Sequence, residues 1–189
     1  MAGDRISEIV GAVKSYAYLD QAPVQRIDVR KGLDDTLVIL RHKLKAGIEV
    51  TRDYDAELPE IDAWGSELNQ VWTNLIDNAA DAMDGKGAIS IRAERADSDE
   101  IRVTICDTGP GIPPDIEAKI FEPFFTTKPP GVGSGLGLHI SHSVVVRHGG
   151  RMEVESEPGH TCFTVSLPLT MPKAAPGAAA QSPYPVPPA

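Results

Sequence analysis

An α+β two-layer sandwich, a mixed and mostly antiparallel sheet with helices on one face, is the fold class the sequence predicts. Three observations predict it. Two pairs of apolar–polar alternating segments double back across polar turns: residues 88–96 with 100–107 across Asp97-Ser98-Asp99, and 152–155 with 161–167 across Glu157-Pro158-Gly159. Segments 31–46, 64–83 and 137–147 instead carry apolar residues at helical spacing. The order helix, strand, helix, strand, helix, strand, strand, loop, helix, strand, strand shows no repeat and layers helices against a sheet.

Taken in order, residues 1–22 hold a short helical stripe, with Ile6, Ile9, Val10, Val13, Tyr16 and Ala17 on one face. A single stripe of this length needs a partner. It either folds back on its own domain or ends a dimerising helical hairpin. Ala22-Pro23 breaks it, and the main domain runs over 23–169. A strand is expected at 26–30, then a helix at 31–46 with Leu33, Leu37, Val38, Leu40 and Leu44 apolar, closed by Gly47. Ile48 and Val50 start a further strand, and residues 58–61 form a connector touching the sheet.

Helix 64–83 is more informative. Leu68, Val71, Trp72, Leu75, Ile76, Ala79 and Met83 share one sector at 100° per residue. Glu67, Gln70, Asn74, Asp77, Asn78 and Asp81 fill the other. Two mid-helix asparagines four residues apart are unusual for mediocre helix formers. They read either as a solvated face or as amide oxygens offered to a hard cation such as Mg²⁺.

The segment from 101 to 138 carries the clearest chemistry. Ile101, Val103 and Ile105 alternate with Arg102, Thr104 and Cys106, and Asp107 continues the inward phase. An inward carboxylate needs a hydrogen-bond donor. Gly109-Pro110-Gly111 then lets a flat ligand approach the backbone. Gly133, Gly135 and Gly137 free backbone N–H groups at a helix start, where the dipole favours phosphate. An acceptor for a base and a cradle for phosphate describe a nucleotide site. The helix at 137–147 ends on Gly149-Gly150, and Thr161, Phe163, Val165 and Leu167 share the inward phase of the last strand. Residues 170–189 hold six of the sixteen prolines and read as a disordered tail.

Bulk properties exclude other classes. The 189 residues, 41% hydrophobic and 24% charged, suit one domain with appended sequence. A net charge of −9 argues against nucleic acid or an anionic membrane as partner. No apolar run reaches the ~20 residues that span a bilayer and no signal peptide is visible, so a cytoplasmic location is expected. Cys106 and Cys162 lie in strands without a CxxC neighbour. Buried free thiols are expected of them, with neither a disulfide nor a metal site.

Residues 27–169 resemble the catalytic ATP-binding domain of two-component sensor histidine kinases, in the superfamily with gyrase B, Hsp90 and MutL (the Bergerat-type fold). QVWTNLIDNAADAM is similar to the N box, DTGPGI to the G1 box, FEPFFTTK to the F box, GSGLGL to the G2 box and GHTCFTVSLPL to the final strand motif. The resemblance implies ATP and Mg²⁺ as ligands. Asp107 would accept from the adenine amine, supported by Thr161, with Gly109, Gly111 and Ile112 shaping the base pocket. Asn78 with Asn74 would hold Mg²⁺. Gly133, Ser134, Gly135, Leu136, Gly137 and Leu138 would face the phosphates, and Phe121, Phe124 and Phe125 would anchor a lid bearing Lys128.

Departures from the family pattern shape the expected mechanism. Where ATP-hydrolysing relatives carry a water-activating Glu, four before the metal-binding Asn, this chain has Asn74, which accepts no proton at neutral pH. Asp81 stands where a basic or aromatic residue is common, leaving Lys128 or Lys86 to supply positive charge. His139 stands where Ser is frequent and reads as a surface residue. His42, His139, His142, His148 and His160 lack the phosphoacceptor pattern. The chain is therefore expected to act on a histidine of a separate dimerisation domain, upstream of a response regulator. The alternatives are a regulatory ATP-binding module and an anti-sigma-type serine kinase.

Overall fold

The computed structural model describes residues 24–45, 47–129 and 131–171. The helix expected at 4–20 and nearly all of the tail lie outside them. Within them the element order is β1 (Gln25–Ile27), α1 (Val29–Ile39), α2 (Arg41–Leu44), β2 (Ile48–Tyr54), β3 (Ile61–Ala63), α3 (Gly65–Ala82), β4 (Gly87–Asp97) and β5 (Glu100–Asp107). Then follow α4 (Pro114–Glu117), α5 (Gly137–Arg147), β6 (Arg151–Glu157) and β7 (His160–Pro168). Five strands form one sheet in the order β2-β4-β5-β7-β6, antiparallel except for β2 beside β4. The expected α+β sandwich is the observed fold.

Alternation decides which face meets the helices. Ile89, Ile91 and Ala93 of β4, Ile101, Val103 and Ile105 of β5, and Phe163, Val165 and Leu167 of β7 are buried together with Leu68, Val71, Trp72, Leu75 and Ile76 of α3. Glu94, Arg102, Thr104 and Thr164 occupy the opposite face, where Arg92 and Arg102 bridge to Glu94. Asp107, at the end of β5, keeps the inward phase and is buried, opposite Thr161 of β7.

Several local expectations are corrected. The helix expected at 31–46 starts at Val29, capped by Asp28 accepting from the Arg30 N–H, and breaks at Leu40. Val38 is exposed, because Val29, Leu33 and Thr36 form the buried face of α1 and Val38 lies on the opposite side. The connector at 58–61 leads into β3, which pairs with β1 as a separate two-stranded sheet. The Asp62 N–H donates to Leu169 O and ties that sheet to the end of β7. Such three-residue strands carry too little periodicity to be read from sequence.

Glu67, assigned to the polar face of α3, is fully buried. The reason is that α3 is flanked by α1 and α5 as well as by the sheet. Its carboxylate pairs with Arg147 of α5, whose guanidinium lies 5.3 Å from the centre of the Trp64 ring. Beside them His148 is buried, its Nδ1–H donating to Val144 O at 2.8 Å and its Nε2 accepting from the Trp64 N–H at 3.2 Å. Burial, with the Arg147 charge as a lesser cause, pushes the His148 imidazole down. The folded state thus binds fewer protons at this group. Its contribution is full above the unfolded value of about 6.5 and drains as pH falls towards the lowered folded value. Between pH 7 and pH 5, unfolding free energy is expected to fall by up to ~1.4 kcal/mol per pH unit through this residue. Urea titrations at the two pH values check it, and the His148→Gln variant should lose that part of the slope.

Candidate functional site

The site lies where β5 ends, between α3 and the start of α5. Asp107 Oδ1 accepts from the Gly109 N–H at 2.8 Å, an Asx turn that fixes the carboxylate while the chain leaves the sheet. Burial raises the carboxyl above the ordinary range, opposed by the Gly109 hydrogen bond and the His160 charge. A hydroxyl chain braces the same end: the Ile112 N–H donates to Ser156 Oγ, which lies 2.8 Å from Thr161 Oγ1. Gly111 has φ +86°, and a Cβ there would stand 2.5 Å from Glu157 O, so only glycine lets this turn pack on the β6–β7 turn. Asp107, Gly109, Gly111, Ile112 and Thr161 are thus brought together at this end of the sheet.

The opposite wall is the polar stripe of α3. Asn78 Oδ1 accepts from Lys128 Nζ at 3.3 Å, and the same ammonium pairs with Asp81. Lys43 of α2 reaches across to Asp77 and Asp81. Burial alone would raise the Asp81 carboxyl, but Lys128 and Lys43 outweigh it and hold the group below its ordinary value. Burial alone would likewise lower the Lys43 ammonium, and the two aspartates hold it up. The stripe is therefore neither a simple solvated face nor uncompensated negative charge. The donor set, amide and carboxylate oxygens with balancing ammonium groups, suits a hard cation on phosphates.

Asn74 is used differently from Asn78. Its Nδ2 donates to Gly137 O at 3.1 Å and Ser141 Oγ at 3.0 Å, which pins the first turn of α5 to α3. At that turn Ser134 Oγ accepts from the Leu136 N–H, and Gly137 and Leu138 follow as the first helical residues. Gly135 has φ +68° and its missing Cβ makes room for the Phe124 backbone; Gly133 likewise makes room for Thr126 Oγ1. Gly137 differs, since a Cβ there would meet nothing closer than 3.6 Å.

The aromatic block divides. Phe121 and Phe125 pack against the core, with the Phe121 ring 5.2 Å from that of His142. Phe124 differs from both: it is 67% exposed at φ +66°, while its backbone lies against Gly135. His139 is half-buried rather than a surface residue: its Nδ1 lies 3.0 Å from Phe121 O and ties α5 to the aromatic block. Ser156, Ser141 and Lys43 were not among the expected site residues. Ser156 shares the inward phase of Met152 and Val154 on β6, and that phase is the signal that identifies it.

The thiol expectation is overturned. Cys106 and Cys162, directly opposite in the β5–β7 register, form a disulfide on the half-exposed face of the sheet. Their phase is the outward one, and antiparallel pairing brings the two side chains together.

Residues 65–171 match the family of histidine kinase-, DNA gyrase B- and HSP90-like ATPases. The sensory histidine kinase/phosphatase NtrB of Vibrio alginolyticus is 38% identical over 133 residues, 65% of this chain and 37% of the relative. NtrB of Rhodobacter capsulatus is 32% identical over 177 residues, 87% of this chain and 49% of the relative. The chain thus spans less than half the length of these curated relatives. The catalytic domain of histidine kinase ThkA superposes with a TM-score of 0.71 at 30% identity, covering 79% of this chain and 99% of that one. Full-length ShkA in complex with AMPPNP gives 0.76 at 29% identity, covering 92% and 38%. The fold, the site and these likenesses agree: the chain belongs to the histidine kinase-, DNA gyrase B- and HSP90-like ATPase family, as a catalytic ATP-binding domain of the sensor histidine kinase kind.

Proposed function

We propose that this domain binds Mg²⁺-ATP and presents the γ-phosphate to a histidine carried on a dimerisation hairpin, for onward transfer to a response regulator. The observation that carries the reading is the buried Asp107 carboxylate, held by the Gly109 N–H at the end of the central strand β5 and braced through Thr161 and Ser156. The adenine amine would donate to it. The phosphates would lie along the start of α5, meeting the backbone of residues 133–138, where the helix dipole favours negative charge.

Mg²⁺ supplies charge neutralisation on the phosphates when bound. Asn78 Oδ1 would hold it, joined by Asn74 Oδ1, whose Nδ2 is already committed to α5. Lys128 would exchange Asp81 for a phosphate oxygen. Asn74 takes no proton from water, so this chain orients the nucleotide without activating a hydrolytic nucleophile. Catalysis then rests on placement and electrostatics. ThkA has been solved in complex with the response regulator protein TrrA, which supports the wider arrangement. A cytoplasmic location accords with it, and among the described residues no helix is long and apolar enough to cross a membrane.

The test is incubation with γ-labelled ATP and a separately prepared histidine-bearing hairpin of an NtrB-like kinase. Acid-labile label on the hairpin is expected. Acid-stable label would point to a serine kinase. No label with nucleotide-saturated protein would leave a regulatory ATP-binding module.

A further inference from the structure

The sheet face away from the helices carries a second constellation, outside the nucleotide site. Cys106 of β5 is paired with Cys162 of β7, and His160 precedes Cys162 by two residues on the same side of the strand. His160 Nε2 lies 3.1 Å from Cys162 Sγ. The three ligand atoms all lie within 4.8 Å of one another. Both cysteines are half-buried and His160 is exposed, so an ion or a small reductant reaches them from solvent. On β6, Glu155 stands opposite Cys162 and Glu157 opposite His160, both exposed, which makes the surroundings anionic.

We propose that Cys106, Cys162 and His160, with their disulfide opened, form a site for a thiophilic divalent cation, Zn²⁺ in the first instance, and that the disulfide closes this site. Opening takes two electrons and two protons. A dithiol reductant is oxidised to its own disulfide while the Cys106 Sγ–Cys162 Sγ bond breaks to give two thiols. The cation then displaces both thiol protons to solvent and takes the lone pair of His160 Nε2.

The geometry fits that ion. Tetrahedral zinc, bonded at about 2.3 Å to sulfur and 2.0–2.1 Å to nitrogen, holds its ligand atoms roughly 3.5–3.8 Å apart. Side-chain rotation of the two cysteines provides that spacing without separating the strands. Two thiolates and an imidazole leave the fourth position to water or a neighbouring carboxylate. Soft thiolates also select against Mg²⁺, so this site and the phosphate site draw on different ions. Asp107 follows Cys106, Thr161 precedes Cys162, and the two face each other on the helix side of the sheet. Whatever links the sulfurs therefore sits one residue from the base-binding pair on both strands.

The probe is Co²⁺ added to the reduced protein under anaerobic conditions. One equivalent per chain is expected to bind, with thiolate-to-cobalt charge-transfer absorption and tetrahedral visible bands, both abolished by an equivalent of Zn²⁺. The oxidised protein should bind none. Cys162→Ser should lower the charge-transfer intensity. His160→Ala should weaken Co²⁺ by more than the about 10–100-fold that losing an outer-shell partner causes. Cooperative thermal unfolding of each variant shows that it is folded, and His160 is exposed at a strand end, where substitution is tolerated. Reduced wild type without these bands at stoichiometric Co²⁺ overturns the proposal, as do bands unchanged in both variants. Neither outcome depends on nucleotide binding.

Discussion

Asp107→Asn is expected to lower ATP affinity by about 10- to 150-fold while leaving the fold intact. A hydrogen bond to a charged acceptor is worth roughly 1.5–3 kcal/mol, which sets that range. The amide keeps an oxygen for the Gly109 N–H, so the turn survives. Stability should hold or rise at neutral pH. The folded carboxyl is raised mainly by burial, so the folded state binds its proton more tightly than the unfolded chain. That contribution is favourable below the unfolded value of about 3.9 and is lost as pH rises through the folded one. At pH 7 the ionised group is a burden that asparagine removes. Calorimetric titration with a non-hydrolysable ATP analogue, beside thermal unfolding, separates the two effects. Lost affinity together with a lower Tm would mean that the carboxylate is structural.

Gly111→Ala is expected to destabilise by about 2–3 kcal/mol, because a left-handed non-glycine residue costs on the order of 1–3 kcal/mol before any clash. The added Cβ would also press on the Glu157 backbone at 2.5 Å. At about 2–4 °C per kcal/mol, the melting temperature should drop by roughly 4–12 °C. Gly137→Ala is the contrasting case. Its Cβ has room, and alanine replaces glycine within a helix for a gain of up to about 0.5–1 kcal/mol. Thermal scans of both variants check the pair of signs. A loss of nucleotide affinity in a Gly137→Ala protein of undiminished stability would then report on phosphate approach rather than folding.

The contrast shows what the sequence could and could not convey. The inward phase of Asp107 and of Thr161 follows from strict alternation along β5 and β7, and the structure pairs them. The same alternation put Cys106 and Cys162 on the other face, but only strand order shows that β7 lies beside β5 and joins the sulfurs. Glu67 is buried despite its place on the polar side of the helical wheel for a similar reason: a wheel supposes one buried side, and α3 has neighbours on three. Phe124 and Phe125 are chemically alike and adjacent, and only backbone conformation decides which of them packs. Asn74 and Asn78 lie four residues apart on one helix, yet their work differs, one pinning α5 and the other facing Lys128. Periodicity conveys facing, whereas partners come from tertiary packing.

The proposed pairing of Asp107 with the amine edge of adenine should separate ATP from GTP. At the corresponding position guanine presents a carbonyl oxygen, which would face the Asp107 carboxylate as acceptor against acceptor. Calorimetric titration of the wild-type chain in Mg²⁺ is expected to show ATP binding at least roughly 100-fold tighter than GTP, since a site built for a donor rejects a ligand lacking it. GTP binding within about tenfold of ATP, or no ATP binding at millimolar nucleotide, would contradict the account.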